Sequence, residues 1–246
     1  MAIAVFSDFP ALDVPGRLAL LVSQAHGPLV FTTSFGLEDQ VLTHMVAQAQ
    51  LPIKLATLDT GRLFPETYTL WEKTERQYGL TIEAYYPDAT ELRLWVKDHG
   101  INGFYDGVAT RKSCCGVRKL GPLRAALQGA AIWVTGLRAD QSDHRQTLAP
   151  VTHDEAFGLI KANPLFDWSR QKAATFASNH DVPVNPLHQD GFLSIGCAPC
   201  TRAVSHGEPE RAGRWWWEQE AEKECGLHVD ASGRLVRAKP VEERGA

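Results

Sequence analysis

The stretch PLVFTTSFGLEDQVLTHMVAQAQ, Pro28 to Gln50, changes its period halfway. It begins as an apolar, β-branched run of strand length and continues from Leu37 with apolar residues at helical spacing. The same strand-then-helix pairing recurs in PIKLATLD (Pro52–Asp59) with PETYTLWEKTERQYG (Pro65–Gly79), and in TIEAYYP (Thr81–Pro87) with ATELRLWVKDHG (Ala89–Gly100). A further strand follows in AIWVTGL, Ala131–Leu137. Strands that alternate with helices build βαβ units, so the chain is read as an α/β protein with a parallel sheet. Pro65 just inside a helix start, and Gly79 and Gly100 where helices stop, agree with this register.

After about Gln141 the rhythm breaks into short irregular strands. A helix is expected near Ser169–His180, then a Pro- and Gly-punctuated loop reaching Cys197. From Ser205 the chain is polar and charged apart from Trp215, Trp216 and Trp217. The expected organisation is an α/β domain over residues 1–204 and a helical tail over 205–246. On a helix three consecutive tryptophans cannot share one face. They are read as packing against the body or a neighbouring subunit rather than as a base-stacking platform.

With 246 residues and 44% hydrophobic content the chain has the composition of a globular protein. No basic leader precedes the first apolar residues and no stretch is apolar for long enough to span a bilayer, so a cytoplasmic, membrane-free protein is expected. A net charge of -4 argues against a general nucleic-acid binder. In the reducing compartment thus inferred, the five cysteines are expected to serve metal binding or catalysis rather than disulfides.

Ligands of open parallel sheets sit beyond the carboxyl ends of the strands. Two loops there carry small polar residues: Thr33, Ser34 and Gly36 after the first strand, and Asp59, Thr60 and Gly61 after the second. Hydroxyls and backbone N–H groups at a helix start suit an anion, and their occurrence in adjacent loops favours a nucleotide pocket over plain turns.

Four cysteines form a set: Cys114 and Cys115 side by side, and Cys197 and Cys200 in GCAPCTR. Adjacent Cα atoms lie about 3.8 Å apart, closer than a relaxed disulfide spans. A directly adjacent pair also fits a single tetrahedral zinc badly, whereas a four-iron cube lets neighbouring thiolates diverge to separate corners. The set therefore favours a [4Fe–4S] cluster over zinc. From Arg111 to Arg124 the chain has five basic residues and no acidic ones. Lys119, at i+4 from Cys115 and one turn along the expected helix, is placed close to the cluster's field. Cys225, flanked by Lys223 and His228 in KECGLH, is a separate candidate nucleophile, because nearby cations raise a thiol's thiolate fraction.

Together CC with CxxC, SFGLED, LDTGRLFPET, GLRADQS, NPLxDW, NPLHxxGxxSIGCxPCTR, GRWWWE and the terminal ECGLH resemble the assimilatory adenylyl-sulfate (APS) reductases, relatives of the PAPS reductases. The resemblance runs from about Val30 to His228. It implies a twisted parallel sheet with helices on both faces, of the adenine-nucleotide alpha-hydrolase type. It implies that Cys225 attacks the sulfur of adenosine 5′-phosphosulfate, displaces AMP and carries an S-sulfo group on a mobile tail, from which thioredoxin or glutaredoxin releases sulfite. Lys119 resembles the residue between cluster and substrate. Arg138, Arg211 and Arg214 resemble a guanidinium clamp on the phosphosulfate, with Arg118 and Arg202 as further candidates. Thr33, Ser34, Gly36 and Leu58, Asp59 and Thr60 would hold the adenosine and its phosphate, and His228 would steer or tune Cys225. The cluster's implied role is electrostatic and structural. Because no thioredoxin-like stretch follows Ala246, the reductant is expected to be a free dithiol protein. A homo-oligomer is left open. The CC and CxxC cysteines favour APS over PAPS. Phe35 stands where the phosphate loop of ATP-using relatives has glycine, which argues against an RNA-thiolating enzyme.

Overall fold

The computed structural model describes residues 3–142 and 145–218. Its six strands are β1 (Leu29–Thr33), β2 (Ile53–Leu58), β3 (Glu83–Tyr85), β4 (Ile132–Val134), β5 (Val151–Asp154) and β6 (Leu159–Ala162). They form one sheet in the order β3-β2-β1-β4-β6-β5, parallel except for the β5–β6 hairpin. The helices are α1 (Val14–Gln24), α2 (Leu37–Gln48), α3 (Pro65–Tyr78), α4 (Ala89–His99), α5 (Val108–Cys115), α6 (Gly121–Ala126) and α7 (Arg170–Asn179).

Alternation along the central strands feeds two cores. Leu29 and Phe31, Ile53 and Leu55, and Ile132 and Val134 point to one face, where α1, α2 and α7 bury Leu18, Leu21, Val41, Leu42 and Ala173. Val30, Ala56 and Trp133 point to the other, against Leu123 and Ala126 of α6. Helices therefore cover both faces, as a buried parallel sheet requires. The chain runs outward from β1 through β2 to β3 and then returns to place β4 on the other side of β1. That reversal opens a crevice beyond the carboxyl ends of β1 and β4, the place where such sheets take ligands.

Two local differences from the sequence reading bear on the site. The α5 helix does not continue regularly through Lys119: Gly116–Leu120 form a turn of π-helix. Residues 205–218, expected as the start of a helical tail, are turns instead. Gly207, Pro209 and Gly213 explain this, since proline removes a helical donor and glycine costs backbone entropy. The chain here folds back through the isolated Thr201–Arg214 bridge. Cys225 and His228 lie outside the described residues.

Candidate functional site

Phe35 tightens the first strand-end loop. Its φ of 59° is the left-handed conformation that favours glycine, yet its ring is buried and stacked on Trp71 at 5.6 Å. The chain keeps the geometry of a glycine turn and offsets its strain by packing. Thr33 Oγ1 accepts from Phe35 N–H at 3.0 Å. Ser34 gives both its N–H (2.6 Å) and its hydroxyl (2.8 Å) to Asp39 Oδ2. Burial pushes the Asp39 carboxyl up to about 6, against the lowering effect of those Ser34 bonds. Gly36 caps α2 at the mouth of the crevice.

In the second loop Asp59 Oδ1 accepts from Gly61 N–H and from the Tyr68 hydroxyl, each at 2.8 Å. Burial, with the bond to Asp59, moves the Tyr68 phenol up to about 12. Leu58 packs beside Tyr85 on the α6 face. Thr60 joins this loop to the cysteines: its Oγ1 lies 3.3 Å from Cys197 Sγ, and its carbonyl accepts from Arg118 at 2.6 Å. One residue further on, the Arg62 carbonyl accepts from Ala198 N–H at 2.8 Å.

The structure brings the four cysteines together although more than eighty residues separate the two pairs. Cys114, Cys115, Cys197 and Cys200 line one recess with Arg62, Arg111, Arg118, Lys119 and Trp215. All four are free thiols. Burial raises the Cys114 thiol, opposed by the charge of Arg118. It pushes Cys200 up to about 12, reinforced by Cys197 and opposed by Lys119 and Arg214. Among the described residues no three His, Cys, Asp or Glu side chains are arranged around a single ion. Cations line the recess beside the four thiols: Arg118 and Lys119 border it, and Arg118 Nε is buried with no acceptor among the described residues, which suits an anionic group there.

Lys119 lies on the π turn, and its charge acts at Cys200 on the opposite pair. The five cations between Arg111 and Arg124 divide: Arg111 and Arg118 are buried and Lys112 and Arg124 are exposed. Trp215, buried at φ 43°, is faced by the guanidinium groups of Arg111 (4.5 Å), Arg214 (4.8 Å) and Arg211 (5.9 Å). Arg111 also pairs at 2.6 Å with Glu218, both side chains being shielded from solvent. Arg211 and Arg214 each approach Ser194 Oγ at 3.5 Å. Arg214 occupies the space beside Gly196, where an added Cβ would lie 2.3 Å from its guanidinium and push that side chain aside. Arg202 instead turns to Glu208 at 2.8 Å.

Arg138 is fully buried in the β4 loop, donating to Glu38 at 2.7 Å, Asp140 at 3.1 Å and Glu210 at 2.8 Å. Sequence reasoning missed Arg62 as a member of the recess and the carboxylates around Arg138. Arg111 entered it only as part of a basic run.

A doubly wound sheet with a switch-point crevice, next to a recess of thiols and cations, defines an α/β protein of the class that takes ligands beyond its strand ends. Residues 28–203 match the model of the phosphoadenosine phosphosulfate reductase domain, and the chain belongs to that family. It is 51% identical over 234 residues to an adenosine 5′-phosphosulfate reductase of Sinorhizobium fredii (strain USDA 257), covering 95% of this chain and 93% of that one. It is 52% identical over 217 residues to the protein of the same name from Allochromatium vinosum, with 88% and 85% covered. Among solved structures, a phosphoadenylyl-sulfate reductase from Candida auris in a phosphate complex is similar with a TM-score of 0.68 at 27% identity, covering 81% of this chain and 96% of that one. Yeast FAD synthetase shares the fold, with a TM-score of 0.53 at 18% identity over 83% of this chain and 69% of that one. Among the described residues no helix is long and apolar enough to cross a membrane.

Proposed function

We propose that this chain reduces adenosine 5′-phosphosulfate to sulfite and AMP, in sulfate assimilation toward cysteine. The observation that carries the reading is Thr60, whose hydroxyl meets Cys197 and whose carbonyl meets Arg118, so that the strand-end loop and the thiol recess share one wall. The names of the relatives support the same substrate.

In this reading Cys225 supplies a thiolate that forms a bond to the sulfur of the sulfuryl group. The sulfur–oxygen bond to the phosphate breaks, AMP leaves with the electron pair, and Cys225 carries an S-sulfo group. A dithiol protein, thioredoxin or glutaredoxin, then attacks the Cys225 sulfur, releases sulfite and is itself oxidised to a disulfide. The leaving phosphate's charge calls for cations: Lys119, with Arg211 and Arg214 as guanidinium partners. The loops of Thr33–Gly36 and Leu58–Thr60 take the adenosine side, and His228 steers Cys225. Cys114, Cys115, Cys197 and Cys200 would hold a [4Fe–4S] cluster, which when bound supplies cross-linking and a fixed electrostatic field.

The test is sulfite formation from APS and from PAPS with thioredoxin, on protein purified without air and analysed for iron and sulfide. Sulfite from APS, strongly preferred over PAPS, with about four irons per chain is expected. Stoichiometric zinc without iron would exclude the cluster, and equal efficiency on both nucleotides would exclude the preference.

A further inference from the structure

We infer that Glu210, acting through Arg138, is a positioning residue for this reaction: its carboxylate registers the segment that carries Arg211 and Arg214 against the loops of the nucleotide crevice. The inference rests on the assignment of Arg211 and Arg214 to the phosphosulfate.

The segment 205–218 has no helix of its own, so its placement depends on what it touches. Towards the cysteines it is held by backbone bonds, Arg202 N–H to the Gly213 carbonyl at 3.0 Å and Trp215 N–H to the Cys200 carbonyl at 3.1 Å. Towards the crevice it is held by Glu210. Arg138 Nη2 donates to both Glu210 oxygens, at 3.0 and 2.8 Å, and Arg170 adds an ion pair at 3.7 Å.

Arg138 is fully buried, and each of its three nitrogens donates to a carboxylate. Its Nε reaches Glu38 in the first turn of α2. A planar guanidinium holds its partners at fixed angles. The chain of contacts therefore runs from the α2 N-terminus through Arg138 to Glu210, whose next neighbour in sequence is Arg211. With every nitrogen so engaged, Arg138 serves the substrate by placing other groups.

The experiment uses the cluster-loaded full chain with Glu210→Gln and Glu210→Asp, and Glu72→Gln as a control in an exposed pair with Arg76. AMP affinity is measured by calorimetry, KM and kcat with APS and thioredoxin, and iron content by absorbance. Glu210→Gln is expected to raise both the AMP Kd and the KM by about 10- to 100-fold, the cost of misplaced binding groups, with iron content unchanged. Glu210→Asp should fall between it and the wild type, and Glu72→Gln should match the wild type.

A purely structural carboxylate would reduce folded protein while leaving KM and AMP affinity of the remainder untouched, and that result overturns the inference. If Glu210→Gln does not fold, Glu210→Asp decides: wild-type KM and AMP affinity in that variant overturn it equally. A wild-type protein that neither binds AMP nor forms sulfite would count against the proposed function rather than against Glu210.

Discussion

Replacing Asp39 by asparagine tests whether the first strand-end loop stores electrostatic strain. The carboxyl is buried, and burial lifts it from 3.8 to about 6 even though Ser34 donates two hydrogen bonds to it. A folded-state value above the unfolded one means that folding favours the protonated acid. The resulting stability is full below pH 3.8 and is lost as pH rises through about 6. The rise corresponds to about 3 kcal/mol. Asparagine keeps the shape and one acceptor oxygen but carries no charge, so the variant escapes this loss. Roughly 2.5 kcal/mol of that loss falls between pH 4 and pH 7, so the difference in melting temperature, variant minus wild type, should grow over that range by about 5–10 °C, at about 2–4 °C per kcal/mol for a chain of this size. Differential scanning of both proteins across that range reads it directly. A difference that stays constant with pH, or that moves in favour of the wild type as pH rises, would refute the reasoning.

Arg111→Met should lower stability by about 3–5 kcal/mol, because it leaves the buried Glu218 carboxylate without its partner, and the double variant with Glu218→Leu should recover most of the loss in the same unfolding assay. Gly196→Ala should fold, since the clash falls on the far end of a flexible side chain, yet lose about 10- to 100-fold in kcat/KM through displacement of Arg214. The Arg17 guanidinium, through its hydrogen bond, holds the Asp167 carboxyl below its usual value. The stability this adds is present above pH 3.8 and falls away as pH drops through the lowered value. In Asp167→Asn that acid-side slope should be missing from a thermal-stability profile.

The strands and helices of the first half were legible because each is a local pattern: buried runs at β1 and β2, helical spacing in α2 and α3, and stop signals at Gly79 and Gly100. The four cysteines were grouped from their spacing alone, and in the structure they line one recess. What escaped depends on contacts between distant segments. Nothing near Arg62 marks it as a neighbour of Cys197, since the link runs through Thr60 and the Arg62 carbonyl. The π turn after Cys115 has no sequence signature; Lys119, placed near Cys115 by regular helical geometry, lines the same recess and its charge also acts at Cys200. The tryptophans were judged on a helix. They follow a Gly- and Pro-broken turn, where Trp215 turns inward among three arginines.

The most direct test of the account is to incubate the cluster-loaded protein with APS in the absence of any reductant and then measure its intact mass. The account predicts a gain of one sulfonate per chain, mapped to the peptide containing Cys225, released as sulfite when thioredoxin is added and missing from Cys225→Ser, which should still hold iron and bind substrate. An adduct on Cys114, Cys115, Cys197 or Cys200, or sulfite formed by Cys225→Ser, would contradict it.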